Sequence, residues 1–425
     1  MAPLRHDSAE AREGRSPQAL DPSTANGVRT RSARARAYRA THRLGAWTAR
    51  PRQSICLTRA VGEAATLRYS EVKGARVTGL LQCGYRSCPS CAANIAAGRR
   101  EEVQGILRAA ASAGLRVAFV TLTVAHTRSD SLEALVGSLQ DVWAAASRSK
   151  GWRASRAQDG YVGLVRAVEV KHGDVHGWHP HLHLLLLYSP ARPDPDHPLR
   201  RHPSDTGHGH PPGLGVREWS DRVEAGTLDD SEKRDGGAER RSDRPASPDA
   251  LVNSWLAAAR RRGLRAERSA QAIRHVDEQG NWADALSGYV TKEWDLAAEM
   301  ASDYKRKPGH FGPLELLEFG NAGHVWARRL YNEYELALPR FRSWAISPEL
   351  RQLLALPESK SDEELAAESA DEGDEFEVMI PAHSVRTLAL HGLLADLVQY
   401  VSEHPTAEEA RRWLVDHGAP PWGSS

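Results

Sequence analysis

Cysteine is scarce: the chain of 425 residues has four. So few cannot staple a chain of this length, which excludes a secreted disulfide scaffold. Cys83, Cys88 and Cys91 stand close together and read instead as a metal site in a reducing compartment. Long apolar runs are missing too. None approaches the roughly 18 residues that span a bilayer, so no membrane role is expected. The first residues are rich in Arg and Ser with no apolar stretch, so no secretory signal is expected and a cytoplasmic location is. Charge of one sign is not in excess, the formal net charge being +1. Bulk charge therefore names no partner. No internal repeat is present.

What the chain has is unevenly spread. Hydrophobic residues make up 40%, enough for a sizeable core. The first sixty residues are Arg-rich, while the charged residues of 358–377 are almost all acids. Such asymmetry suits an arm that meets phosphates and a separate acidic segment. Composition and patterning divide the chain into six parts. Residues 1–40 read as a disordered basic arm. Residues 41–113 hold all four Cys and end in a helix over 92–111. Residues 114–300 form the central domain, interrupted at 191–248 by an insertion of Pro, Asp, Gly, Ser, Arg and His that reads as disordered. A helical extension (301–356), an acidic linker (357–377) and a small helical module (378–425) follow. The last reads as an interaction or oligomerisation surface.

Within the central domain, Arg116 to Ala125 is β-branched and apolar, a strand. Ser131 to Ser147 has helical spacing through Leu132, Leu135, Val136, Leu139 and Val142. Val162 to Val170 and His181 to Tyr188 read as strands around a turn at Gly173-Asp174. A helix over 249–262, a strand over 270–276 and a helix over 282–300 complete the order β-α-β-β-α-β-α. The fold class is α+β: a split βαβ (ferredoxin/RRM-like) antiparallel sheet with helices on one face.

The run His179-Pro180-His181-Leu182-His183 carries the chemistry. Side chains alternate along a strand, so His181 and His183 share a face with Cα atoms about 7 Å apart. A lone His in an apolar strand is ordinarily a core residue. Two at i and i+2, with a third at i−2, point to a divalent cation. His179 lies in register with them. Glu169 is the candidate third ligand, since a carboxylate amid an apolar strand is costly unless paired or metal-bound. Cys83-x4-Cys88-x2-Cys91 has knuckle-like spacing, and Cys56 is a candidate fourth ligand for a structural Zn2+.

Tyr289 and Lys292 share a helix face at i and i+3. A tyrosine of pKa about 10 is roughly one part in a thousand phenolate at pH 7, so as a nucleophile it needs a cation or base nearby. Alone, Tyr-x-x-Lys on an amphipathic helix reads as core or interface. Arg99, Arg100 and Arg108, and again Arg260, Arg261 and Arg262, suit either phosphate contact or a solvated face. His197, His202, His208 and His210 lie in the Pro- and Gly-rich insertion, which would not pre-organise a metal site.

Together these pieces resemble the HUH endonucleases, and among them the initiators of rolling-circle plasmid replication. The resemblance rests on Thr121-Leu122-Thr123 closing a strand, His179 to Leu186, and Tyr289 to Lys292. It extends to Cys83, Cys88, Pro89 and Cys91 before the first strand, to Gly309–Leu317 and to Arg342-Ser343-Trp344, covering about 80–355. It implies that Tyr289 attacks a phosphodiester at the plasmid's double-strand origin with Mg2+ or Mn2+ at the His site. A 5′-phosphotyrosine and a 3′-OH primer result, and rejoining follows at termination. The implied partners are plasmid DNA and host helicase and polymerase. Some relatives carry an acid one helical turn before the Tyr; here Ala285 stands there, leaving Asp284, five residues before, as the terminating group. A conjugative relaxase or single-Tyr transposase would share the chemistry, though relaxases commonly place the Tyr ahead of the His motif. A non-catalytic Zn-stabilised DNA-binding regulator or a water-using phosphoesterase would not need Tyr289.

Overall fold

A computed structural model of the chain describes residues 22–71, 73–189, 245–276, 310–340, 343–367 and 373–422. The element order expected from the sequence is present up to Val276. Strands β3 (Arg116–Thr123), β4 (Tyr161–Gly173), β5 (Gly177–Tyr188) and β6 (Ala272–Val276) form a sheet in the order β6-β3-β5-β4, every neighbouring pair antiparallel. Two short strands, β7 (His310–Phe311) and β8 (Trp344–Ile346), add to the outer side of β4. Helices α4 (Leu132–Ala146) and α5 (Lys150–Gln158) begin where Ser131 and Ser149 each accept a backbone N–H at the N-cap. Such caps satisfy donors that the first turn leaves free. Strand β5 starts four residues earlier than expected and takes in Pro180. Proline is tolerated because β3 ends at Thr123, opposite His181, so no ladder on that side reaches Pro180.

The expectation of helices on one face is overturned. Val120 and Leu122 of β3 and Leu182, Leu184 and Leu186 of β5 are buried under α4 and α6 (Ser247–Arg261). Phe119, Leu185 and Leu187, on the other face, pack with Ile106 and Leu107 of α3 (Pro89–Ser112) and Leu350 of α9 (Pro348–Leu353). A strand apolar on both faces demands cover on both, since each exposed Leu forgoes about 1.5–3 kcal/mol.

A second core joins both ends of the chain. Strands β1 (Ala64–Ser70) and β2 (Gly74–Thr78) pair with β9 (Phe376–Pro381) in the order β2-β1-β9. Helices α11 (Ala382–Leu390), α12 (Leu394–Glu403) and α13 (Ala407–Asp416) pack with them around Leu67, Val77, Val398 and Leu414. The Cys-rich unit and the C-terminal module are thus one core rather than two. Three further expectations change here. Helix α1 (Pro22–Gly45) occupies much of the arm expected to lack structure, and buries Ala33, Ala37, Tyr38 and Leu44. Alanine supplies the apolar face that a count of large hydrophobics overlooks. The acidic stretch is no free linker: Asp374 pairs with Arg68 and Arg76, and Asp362 of the short helix α10 (Asp362–Ala366) pairs with Arg86 and Arg99. Arg99 is therefore buried and paired, neither a phosphate contact nor a solvated face. Arg108 is exposed.

Burial alone would raise the Asp362 pKa, but Arg86 and Arg99 beside it hold it below the ordinary carboxylate range. The folded value lies below the unfolded one of about 3.9, so the stabilisation is complete above that pH and drains as pH falls through the folded value. Asp362→Ala, which leaves two guanidinium groups short of a partner, should cost about 2–4 kcal/mol near neutral pH. Urea unfolding at pH 7 checks this; an unchanged midpoint would count against the pairing.

Candidate metal centre

Strand pairing assembles the first site. Glu169 of β4 stands directly opposite His181 of β5, and Ala167 opposite His183. Alternation then puts Glu169, His181 and His183 on one face, just beyond the part of that face covered by α3. All three are buried. The Nε2 atoms of both imidazoles converge on one carboxylate oxygen, Glu169 Oε2, the His181 contact being 2.5 Å. One ligand atom from each residue lies within 4.8 Å of the other two. Two imidazoles and a carboxylate this close, with their lone pairs aimed inward, suit a divalent cation.

Neighbours fix the rings. Phe119 stacks on His183 with centroids 5.2 Å apart, and Thr121 Oγ1 lies 3.2 Å from His183 Nδ1. That hydroxyl holds Nδ1 and leaves Nε2 for the cation, the usual way an outer partner sets a ligand's orientation. Burial, chiefly, lowers the His183 pKa, against an opposing pull from Glu169. The imidazole is thus neutral near pH 7, the form that binds metal. Lys171 Nζ meets the other Glu169 oxygen, Oε1.

His179 stands beside this trio and not within it. Its Nδ1 is 3.3 Å from His126 Nε2, and His126 Nδ1 in turn lies 3.3 Å from the Val124 carbonyl. Burial first, then His181 and His126, lower the His179 pKa to about 4. Sequence reasoning missed His126, which sits in a loop with no periodicity to flag it. It named Thr121 only as part of the strand motif, with no role beside His183, and did not single out Phe119. Strand alternation carried the signal for both, since they share a face with Thr123.

The second site gathers all four cysteines. Cys56, Cys83, Cys88 and Cys91 are buried free thiols with Sγ separations of 3.6 Å (Cys56–Cys91), 3.6 Å (Cys83–Cys91) and 3.5 Å (Cys56–Cys88). A disulfide needs about 2.05 Å. Four thiolates around Zn2+ at about 2.3 Å form a tetrahedron with edges of about 3.8 Å, close to what is found. Cys56, the fourth ligand expected from the sequence, is in place. Cys88 caps the N-terminus of α3. Burial alone would raise its pKa, but hydrogen bonds from the other three thiols hold it well below the ordinary thiol range. Its position at the positive end of a helix dipole favours the thiolate further.

Tyr289, Lys292 and Asp284 lie outside the described residues, as do the four insertion histidines, Gly309 and Arg342. Among the described residues no helix is long and apolar enough to cross a membrane.

The chain is thus an α+β protein with two buried groups, Glu169-His181-His183 on an antiparallel sheet and the four cysteines, each placed so that it could hold a metal ion. Residues 75–192, which hold three of the cysteines and the whole His-His-Glu group, match the family described as "Replication protein". Over 138 residues the chain is 33% identical to a Streptomyces lividans protein named "Protein rep", covering 26% of this chain and 30% of that one. Over 169 residues it is 31% identical to a Streptomyces cyanogenus protein named "Neomycin resistance protein", covering 34% and 38%. The chain thus spans about a third of the length of these relatives. No solved structure matches it. Over the matched segment the chain is thus similar to replication proteins, in line with the resemblance that the motifs suggested.

Proposed function

We propose that the chain is a cytoplasmic rolling-circle initiator that nicks one strand of plasmid DNA at its double-strand origin. The observation that carries this is the buried Glu169-His181-His183 group beside the Thr121-Leu122-Thr123 strand, within the segment that matches replication proteins. The strand order β6-β3-β5-β4 with its helical crossovers supports a split βαβ, HUH-type reading of the central domain. Strands β6 and β7, which flank 277–309 in the sequence, stand at opposite edges of the sheet that bears the group.

In this reading Glu169, His181 and His183 hold Mg2+ or Mn2+, with His179 an additional candidate ligand. When bound, the cation polarises the scissile phosphate as a Lewis acid. Tyr289 supplies the nucleophile: its hydroxyl gives up its proton to solvent as its oxygen bonds to phosphorus, the bond to the 3′-oxygen breaks, and that oxygen takes a proton from solvent and leaves as a hydroxyl. Lys292 offsets charge on the phosphate or phenolate. Asp284 is assigned the terminating step. The phosphotyrosine keeps the phosphodiester's energy, so rejoining needs no ATP. Cys56, Cys83, Cys88 and Cys91 hold a structural Zn2+. The 3′-OH calls for a host polymerase, and unwinding for a host helicase.

The test is to incubate the protein with single-stranded origin DNA and Mg2+ or Mn2+, digest it, and map the DNA-bearing peptide by mass spectrometry. The expected adduct is on Tyr289. An adduct on another residue, or none with either metal, would overturn the assignment.

A further inference from the structure

We infer that the corner formed by Arg260, Arg261 and Arg265 binds the phosphate backbone of duplex DNA flanking the nick. The inference rests on the reading of the chain as a DNA-nicking protein and adds to it the surface that holds the uncut arm.

Residues 260–268 read Arg-Arg-Arg-Gly-Leu-Arg-Ala-Glu-Arg, five cations against one acid. The fold uses two of the five. Arg268 pairs with Asp249 at 2.7 Å, and Arg262 reaches back to the Ala258 carbonyl at 3.4 Å. Arg260, Arg261 and Arg265 are exposed and have no acidic partner among the described residues. Basic residues in a last helical turn also offset the helix dipole, which accounts for Arg260 and Arg261 but not for Arg265.

Placement separates the two explanations. Gly263, at φ +72°, ends α6 in a conformation that side chains disfavour and turns the chain toward β3. The Ala125 N–H then donates to the Arg265 carbonyl at 2.8 Å. Gln271, buried, accepts from Thr123 N–H at 2.8 Å, and Trp255 of α6 donates to the Thr123 carbonyl at 2.8 Å. Thr123 is the residue opposite His181. The basic corner is thus pinned to the end of the sheet where the metal group lies, its backbone on the order of 10 Å from the His181 backbone. Helix α6 packs on the face opposite that group, so the corner lies across the sheet from the reacting strand. A backbone held there belongs to DNA that continues past the nick. Duplex DNA, with one charge per roughly 1.7 Å, fits three clustered guanidinium groups best.

The experiment compares wild type with the triple variant Arg260→Ala, Arg261→Ala, Arg265→Ala, and with a control, Arg411→Ala, Arg412→Ala, on exposed α13. Binding to a blunt duplex and to a single-stranded oligonucleotide is measured by fluorescence anisotropy from 50 to 200 mM salt. For duplex, the triple variant should bind about tenfold or more weakly, with a log–log salt slope shallower by about 2–3, near 0.9 per lost phosphate contact. The control should leave the slope unchanged. An unchanged slope in the triple variant, an equal change in the control, or a loss confined to single strands would each overturn the inference. The Tyr289 adduct is scored separately, so a failure of the nicking reading is distinguishable from a failure here.

Discussion

Replacing His183 by Ala should slow nicking at least about a thousandfold, on the order of 4 kcal/mol of transition-state stabilisation, with DNA affinity within about threefold of wild type. The asymmetry follows from where the residue sits. His183 is 3% exposed and faces Glu169, so a cation held by the group would meet it and the nucleic acid backbone would not. Its loss removes one of the two imidazoles that converge on Glu169 and leaves Glu169 and His181, with His179 turned toward His126, to hold Mg2+ or Mn2+ against hydration. His181→Ala should do the same, because both Nε2 atoms serve one carboxylate oxygen. Thr121→Val should do less, on the order of 10–100-fold in metal affinity, since it removes the hydroxyl that orients His183 and not a ligand. Gel assays of nicking against Mn2+ concentration, with anisotropy for DNA binding, read all three variants. Nicking by His183→Ala within tenfold of wild type would sink the group as the reaction's metal site. A parallel collapse of DNA binding would point to misfolding instead.

Much of this site was legible because strands have a period of two. The spacing of His181 and His183 fixed a shared face, and one turn at Gly173-Asp174 brought Glu169 opposite. His179 kept that phase, yet its ring turns to His126, a loop residue that no periodicity could reveal. The second face of the sheet was also within reach. The Leu run at 184–187 called for cover on both sides, and α3, though expected as a helix, was assigned only to the Cys-rich unit. The pairing of β1 with β9 was not legible. Ala64 and Pro381 meet across more than three hundred residues, and local pattern carries no information about such contacts. Arg99 misled for a related reason. Its partner Asp362 lies in a stretch whose composition resembled a linker, and charge counts cannot tell a solvated acid from one docked on a buried guanidinium.

That joined core makes the four-cysteine cluster matter at both ends of the chain. Stripping its metal, or replacing Cys91 by Ser, should unfold the N-terminal unit and release β9 and the C-terminal helices with it. Cys56 follows α2 (Pro51–Ser54), Cys83 lies after β2, and Cys88 and Cys91 open α3, so one ion held there would fasten three segments. Thr41 of α1 touches Cys88 Sγ at 3.7 Å, which ties the N-terminal helix to the same point. Without a cation the cluster crowds four buried sulfurs together, with only the start of α3 to favour a thiolate, at Cys88. Structural Zn2+ binding is worth about 10–16 kcal/mol in small peptides at pH 7, and a whole domain is stable by only about 5–15. The loss is therefore as large as the whole stability an ordinary domain has. The large sheet has its own apolar layers on both faces and should keep its strands. Hydrogen exchange across 376–381 and 182–187, before and after zinc extraction, separates the two cores. Expected is loss of protection at β9 with retention at β5, and release of about one equivalent of zinc. Protection of β9 that survives extraction would mean that packing alone holds this core, and would remove the structural role from the cluster.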